Sequence, residues 1–280
     1  FKNVKYKLPK ELKPLSNLLK TPKASSTPYI DIALELFHIS NASPPNCADL
    51  LDILNILSTY NLDTGKKIKK LNLVTSKMFS WINVMVHPDK NIPFFNDSSF
   101  NIAQTYEDLE KYSLKIGFNN ISKNDLDKKI KFLKDSGYIM LKYDDIFIII
   151  DVAKVGADIQ PGHAHADTLS FEMSLNNYRF LVNSGTSTYD VSKERHFQRS
   201  TIAHNTVEIN NKNSSDVWKS FRVGRRAYVN DIYIDKKNNY PVISASHNGY
   251  NNIKHKREWI TENNVIKIND YIYGNYRSAK

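Results

Sequence analysis

Residues 137–152 run GYIMLKYDDIFIIIDV. Two runs rich in Ile, Phe and Tyr, Tyr138–Tyr143 and Ile146–Val152, flank the polar pair Asp144-Asp145, the pattern of two strands joined by a tight turn. Working toward the C-terminus, the same texture recurs at Thr168–Leu175, Tyr178–Val182, Thr206–Ile209, Ala227–Ile234, Val242–Ser246 and Val265–Ile268, with Asn176-Asn177 and Asn263-Asn264 as further turns. Nothing between these runs is long enough for the helical crossovers that parallel strands need, so the sheet is expected to be antiparallel.

Working toward the N-terminus from Gly137, the period changes. Leu50, Leu51, Leu54 and Leu57 form one helical stripe, Leu71, Val74, Met78, Trp81, Ile82 and Met85 a second, and Tyr106, Leu109 and Tyr112 a third. Gly117 and Gly137 stand where two helices would stop, and Pro88 and Pro93 mark a loop between others. The spacing predicts four or five amphipathic helices over residues 29–136. The fold class is therefore α+β in two domains: a helical part over 1–136 and an antiparallel β-sandwich over 137–280.

Of the 280 residues, 41% are hydrophobic and 24% charged, which suits a packed core and argues against disorder. The longest unbroken apolar run is Ile146–Ile150, far below the roughly 20 residues of a membrane-spanning helix. Cys47 is the single cysteine, so an internal disulfide and a Cys-based metal cluster are both excluded. Thirty-nine Lys and Arg face 29 Asp and Glu, a net charge of +10 that favours an acidic polymer as partner. No recognisable nucleic-acid module accompanies that charge. The opening residue is Phe1, followed by a basic stretch punctuated by Pro9, Pro14, Pro22 and Pro28, and reads as part of a longer or processed protein. Its lysines are expected to be a solvated face.

The densest polar cluster is Pro161-Gly162-His163-Ala164-His165-Ala166-Asp167-Thr168. In an extended segment the two imidazoles and the carboxylate point to one side, where they could share a metal or a substrate. A third imidazole, His204, follows in RSTIAHNTV at the entrance to a strand, and the run LVNSG (181–185), which contains Asn183, ends another. Zinc takes three His or carboxylate ligands in an open site, so His165 and His204 with a residue near 183 form a candidate set. Asn183 is its weak member, because a neutral amide compensates the ion's charge less than a carboxylate.

Four motifs in order, GHAHADTLS (162–170), LVNSGTSTY (181–189), RSTIAHNTV (199–207) and VWKSFRVGRRA (217–227), resemble the heparinase II/III-like polysaccharide lyases. Upstream, WINVMVHPDKNIPFFNDS (81–98) is similar to the stretch that closes the helical domain in that family, so the likeness covers about residues 26–230. The resemblance implies a partial α/α toroid followed by the β-sandwich, and a carbon–oxygen lyase that cleaves an acidic polysaccharide by β-elimination. That reaction requires neutralisation of a uronate carboxylate, a base for the adjacent carbon-bound proton and an acid for the departing glycosidic oxygen. By resemblance, His163 is the active-site His beside the substrate carboxylate, and His165, Asn183 and His204 are ligands of a structural zinc. Family members usually carry Asp at the position of Asn183.

Ser26-Thr27-Pro28-Tyr29 resembles the segment with the catalytic tyrosine, and Tyr189 matches a second tyrosine near the site. A phenol with reference pKa of ~10 needs a nearby cation or ordered hydrogen bonds to act near neutrality. The family's carboxylate-neutralising Asn lies on a helix ahead of the catalytic tyrosine, beyond the few residues that precede Tyr29. Arg195, Arg199, Arg222, Arg225 and Arg226 crowd the region of the histidines and suit anion binding by paired donors, with Arg199, Arg222 and Arg225 as the candidate substrate-binding residues; the competing expectation is that Arg222, Arg225 and Arg226 alternate on a strand and brace the two domains. Two other functions fit parts of the pattern: a non-catalytic carbohydrate-binding or surface-polysaccharide assembly protein, and a metallo-β-lactamase-like hydrolase. The second needs a His at position 168, where Thr stands. By analogy with the family, the protein is expected to be periplasmic or otherwise exported.

Overall fold

The structure, a computed structural model, describes residues 45–60, 65–119, 129–237, 240–262 and 265–280. Tyr29 and the N-terminal lysines lie outside them. Five antiparallel strands, β1 (Ile130–Leu133), β2 (Tyr138–Tyr143), β3 (Ile146–Asp151), β4 (Phe171–Leu175) and β5 (Tyr178–Leu181), form a meander in sequence order. Asp144 and Asn176 adopt positive φ in the β2–β3 and β4–β5 turns, which short polar side chains tolerate. After a small hairpin of β6 (Val217–Trp218) and β7 (Arg222–Val223) comes a second antiparallel meander. It comprises β8 (Val229–Lys237), β9 (Tyr240–Tyr250), β10 (Ile253–Glu262) and β11 (Val265–Tyr273).

The two sheets pack face to face. Ile139, Leu141, Ile146, Ile148, Ile150, Phe171 and Met173 of the first meet Ile243, Ala245 and Trp259 of the second. Each fully buried side chain of this size contributes roughly 1.5–3 kcal/mol. The opposite face of the first sheet is covered as well: Tyr138 and Ile149 pack with Met85 and Phe95, and Trp81 Nε1 donates to Ser136 Oγ at 2.9 Å. Cover on both faces explains why β3 is an unbroken apolar run instead of an alternating one.

Among the described residues, three helices precede the sheets: α1 (Pro45–Thr59), α2 (Lys66–Met85) and α3 (Tyr106–Lys115). Leu50, Leu51, Leu54, Leu71, Phe79, Ile82 and Leu109 form their common core. Thr105 caps α3, its side chain accepting from Asp108 N. At the other end, Gly117 with φ of 78° and the bonds Phe118 N→Ser113 O and Gly117 N→Leu114 O form a Schellman stop. Three helices do not by themselves define a toroid. Among the described residues, no helix is long and apolar enough to cross a membrane.

The structure corrects several expectations. Gly137 closes the β1–β2 turn, donating to Leu133 O at 2.8 Å, and does not end a helix. Its positive φ and an approach that would put a Cβ 2.3 Å from Ala153 Cα both require glycine. The sheet thus begins ahead of the boundary expected near residue 136. Thr206–Ile209 forms no strand; Ile209 makes only isolated bridges to Lys212 and Ala279. Strand β10 went unforeseen because His255 and Arg257 occupy two of its inward positions, between Ile253 on one side and Trp259 and Thr261 on the other.

Candidate active site

Asp97 is the centre of the site. His163 Nδ1 lies 2.7 Å from its Oδ2 and His165 Nε2 lies 2.8 Å from its Oδ1. Arg195 donates to the same carboxylate from both Nη atoms, Nη2 at 2.8 Å from Oδ2. Burial opposes ionisation of Asp97, but the hydrogen bonds from His163, His165 and Arg195 outweigh it and hold its pKa well below the usual carboxylate range.

The loop after α2 is held in place by buried polar contacts. Glu172 of β4, fully buried, accepts from Phe94 N at 2.8 Å and from Asn183 N at 3.0 Å. Arg179 of β5 donates to Asp89 and to Ile92 O. Thr186 N donates to Ser98 O at 3.0 Å, where Gly185, with φ of 56°, leaves no room for a Cβ: it would lie 2.5 Å from Ser98 O. The loop from Gly162 to Thr168 is anchored in turn by His165 N→Asn96 Oδ1, Ala166 N→Arg199 O and Thr201 Oγ1→Ala166 O.

The imidazoles are not equivalent. The His163 side chain is 68% exposed and that of His165 fully buried. A carboxylate only accepts, so His163 carries its proton on Nδ1 and leaves Nε2 as a basic lone pair. Tyr189 lies beside it with ring centroids 5.9 Å apart, and Phe221 at 5.6 Å. Arg195 sits over both aromatic rings, 5.2 Å from Tyr189 and 5.6 Å from Phe221. Burial and then the charge of Asp97 raise the Tyr189 pKa, with Arg195 opposing, so the phenol keeps its proton near neutrality.

His165 and His204 face each other, Nδ1 to Nε2, at 3.1 Å. Both neutral tautomers are set by the opposite ring nitrogens: His165 Nε2–H points at Asp97 and His204 Nδ1–H donates to Ser200 O at 2.8 Å. Burial depresses the His204 pKa to about 4, so this ring is neutral at pH 7. Two lone pairs therefore oppose each other, and only a cation, a second proton on His165 or a metal ion, makes the contact attractive. A buried His247–His255 contact at 3.0 Å provides the contrast. There Gly249 N donates to His247 Nδ1, His247 Nε2 to His255 Nδ1, and His255 Nε2 to Asp270, so every atom is matched.

This pair fits metal ligation, each ring being oriented through its other nitrogen. The third expected ligand fits less well. Asn183 Oδ1 accepts from Asn205 N at 3.1 Å, and its buried Nδ2 has no partner among the described residues. Among the described residues, no three His, Cys, Asp or Glu side chains converge for a metal ion. The Asp167 charge acts on His204, where it opposes the effect of burial, and on Asp151, whose pKa is pushed well up by burial and then by that charge.

The expected anion-binding arginines divide. Arg199 is buried and donates to Ala164 O, Trp218 O, Lys219 O and Arg222 O, so it supports main chain and is closed to a solute. Arg225 bonds Ser214 O, Gly249 O, Asn213 O and Asp216, tying loops at one end of the sandwich. Arg226 donates to Ala157 O and Asp158 O, so no pair of these braces the two domains. Arg222 and Arg225 are both exposed, but the Arg225 guanidinium is engaged in the bonds just given. Arg195, expected as an anion-binding cation, instead clamps Asp97, and Asp97 was not among the expected site residues. Asp97 stood in the quoted stretch 81–98, but a lone loop carboxylate carries no local pattern.

The sequence pattern of the heparinase II/III-like C-terminal domain matches residues 125–279, more than half of the chain. The chain belongs to the heparinase II/III-like family. A heparin-sulfate lyase of Bacteroides stercoris is 25% identical over 122 residues, covering 42% of this chain and 17% of that protein. A solved heparinase III is similar with a TM-score of 0.65 at 19% identity, over 88% of this chain and 41% of that one. A heparan sulfate lyase mutant from Pedobacter heparinus follows the chain with a TM-score of 0.58 at 16% identity, over 82% and 39%. The chain thus spans well under half the length of each relative, and at these identities the solved structures show the fold alone. Family membership also disposes of the metallo-β-lactamase alternative, whose His-rich motif lies here on a loop with no three-ligand cluster among the described residues.

Proposed function

We propose that this heparinase II/III-like protein is a polysaccharide lyase that breaks a uronate-containing polysaccharide by β-elimination. The observation that carries the reading is the exposed His163, oriented by a carboxylate that a buried arginine clamps, with the Tyr189 phenol beside it. In this reading His163 Nε2 takes the proton from the carbon next to the uronate carboxylate. The electron pair left behind forms a carbon–carbon double bond, the bond to the glycosidic oxygen breaks, and that oxygen takes a proton from Tyr189 or from Tyr29, which lies outside the described residues. The raised pKa of Tyr189 suits an acid that must arrive protonated. A structural zinc would be held by His165 Nδ1 and His204 Nε2 with Asn183 as a neutral third neighbour, and would supply positive charge between the two rings. The helical ring implied by family resemblance would form the other wall of the substrate groove.

The full-length protein, given a panel of uronate polymers, is expected to release unsaturated uronate ends, read by their ultraviolet absorbance. His163→Ala is expected to abolish that signal while leaving Tm within about 2 °C, since an exposed side chain contributes little to stability. Sugar binding by the wild type without unsaturated product would instead favour the non-catalytic carbohydrate-binding reading, which Asn183 in place of a carboxylate suits.

A further inference from the structure

The hairpin of β6 and β7 presents its turn carbonyls to buried arginines, buries Val217 and Ser220, and exposes Trp218, Lys219, Phe221 and Arg222. Arg199 donates from Nη1 to Trp218 O at 3.3 Å and Lys219 O at 3.1 Å, and from Nη2 to Arg222 O at 3.2 Å. Arg195 donates to Ser220 O from Nε at 3.1 Å and from Nη2 at 2.8 Å. Both arginines lie on α4 (Lys193–Arg199) and are 0% and 1% exposed. Four of the carbonyls between Trp218 and Arg222 are thus fixed by buried guanidiniums, and Lys219 is held at φ of 48°, unusual for a residue with a side chain.

The side chains of Trp218, Lys219, Phe221 and Arg222 remain open. Trp218 is 44% and Phe221 45% exposed. Each rests on a glycine: a Cβ on Gly224 would lie 3.1 Å from Trp218 Cζ3, and one on Gly162 would lie 3.3 Å from Phe221 Cβ. Lys219 and Arg222 are exposed, and among the described residues neither enters an ion pair. Phe221 is 5.6 Å from His163 and 5.2 Å from Tyr189 between ring centroids, within one sugar unit of the proposed chemistry.

We infer that the β6–β7 hairpin is a subsite for an anionic sugar unit adjoining the one that reacts, with a pyranose face on Phe221 and its carboxylate or sulfate paired with Lys219 and Arg222. Charge complementarity selects the occupant: two unpaired cations flank an aromatic face in a chain of net charge +10. Buried arginines that immobilise the turn keep those groups pre-organised, so little ordering entropy is lost on binding. The inference rests on the lyase reading for the nature of the polymer, and assigns to the hairpin the recognition of negative charge beside the reacting unit.

The test is calorimetric titration of the full-length protein with a size-defined heparan sulfate oligosaccharide, its unsulfated counterpart and neutral dextran, alongside the unsaturated-product assay. Lys219→Asn combined with Arg222→Gln is expected to weaken binding of the charged oligosaccharides at least tenfold and to flatten its salt dependence. Phe221→Leu is expected to weaken binding while Phe221→Tyr preserves it, and melting curves confirm that each variant is folded. The charge-matched Lys236→Gln with Lys267→Gln is expected to retain wild-type affinity. Affinity within twofold of wild type in the hairpin double variant, or an equal loss in the charge-matched control, overturns the inference. Tighter binding of duplex DNA than of any oligosaccharide through the same residues overturns the sugar assignment. Hairpin-dependent binding with no unsaturated product from wild type sinks the lyase reading and keeps the subsite; product formation untouched by the hairpin variants does the reverse. A wild type that binds none of the charged oligosaccharides sinks both.

Discussion

Replacing Asp97 by Asn tests the centre of the site. The Asp97 side chain is 5% exposed and that of Arg195 fully buried, so the change leaves a guanidinium in a dry environment without its counter-charge. Removing one partner of such a pair costs about 3–5 kcal/mol, against a total domain stability of roughly 5–15 kcal/mol. Arg195 keeps its bonds to Ser220 O and Thr186 Oγ1, which places the expected loss toward the lower end of that range. At about 2–4 °C per kcal/mol for a domain somewhat smaller than this chain, Tm is expected to fall by roughly 10 °C. Urea unfolding followed by near-ultraviolet circular dichroism measures the loss. The cycle Asp97→Asn, Arg195→Gln and both together measures the coupling, expected to be about 2 kcal/mol or more. A loss below about 1 kcal/mol, or single effects that add within about 0.5 kcal/mol, would refute the view that these two groups are one buried unit.

Other outcomes follow from the same contacts. Burial, and then the charges of His255, Arg257 and Arg225, depress the His247 pKa to about 3, whereas the unfolded chain titrates near ~6.5. The unfolded state therefore binds the extra proton first, and stability is expected to fall by up to about 1.4 kcal/mol per unit as pH drops from ~6.5 toward 3. His247→Gln should flatten that slope, and an unchanged slope would remove His247 as its cause. Gly185→Ala should cost at least about 2 kcal/mol and most of the activity, because a Cβ meets Ser98 O next to Asp97, whereas Gly65→Ala, with the same sign of φ but nothing within 4 Å, should cost about 1–2 kcal/mol. Zinc is expected to raise Tm and a chelator to lower it, and both responses should vanish in His204→Ala; equal responses in wild type and variant would count against the His165–His204 site.

Strands with a plain apolar or alternating pattern were readable from local sequence: β2, β3, β4, β5, β9 and β11 appear where Ile, Phe, Tyr and Val cluster between Asp and Asn turns. Strand β10 was hidden because the residues it buries include His255 and Arg257. Those become acceptable only once Asp270, the carbonyls of Leu169 and Asn205 and a second histidine surround them. A glycine such as Gly137 serves a helix end and a β-turn equally well, and only the pairing of β1 with β2 distinguishes the two.

Among the catalytic candidates, His163 and His165 were visible as a spaced pair, and both do reach one carboxylate. That carboxylate was not visible, since Asp97 is separated from His163 by 66 positions and arrives through a loop held by Glu172 and Arg179.

Side-chain period and turn chemistry depend on neighbours in the chain, so the order of helices and antiparallel strands, the net positive charge and the clustered histidines are properties of the amino-acid string itself. Which arginine is buried and which meets solvent, which ring nitrogen carries a proton, and which acid orients His163 depend on groups that only folding brings within hydrogen-bond distance. Arg199 and Arg222 are chemically the same residue; the four carbonyls packed around one and the water around the other make one a brace and leave the other free for a ligand.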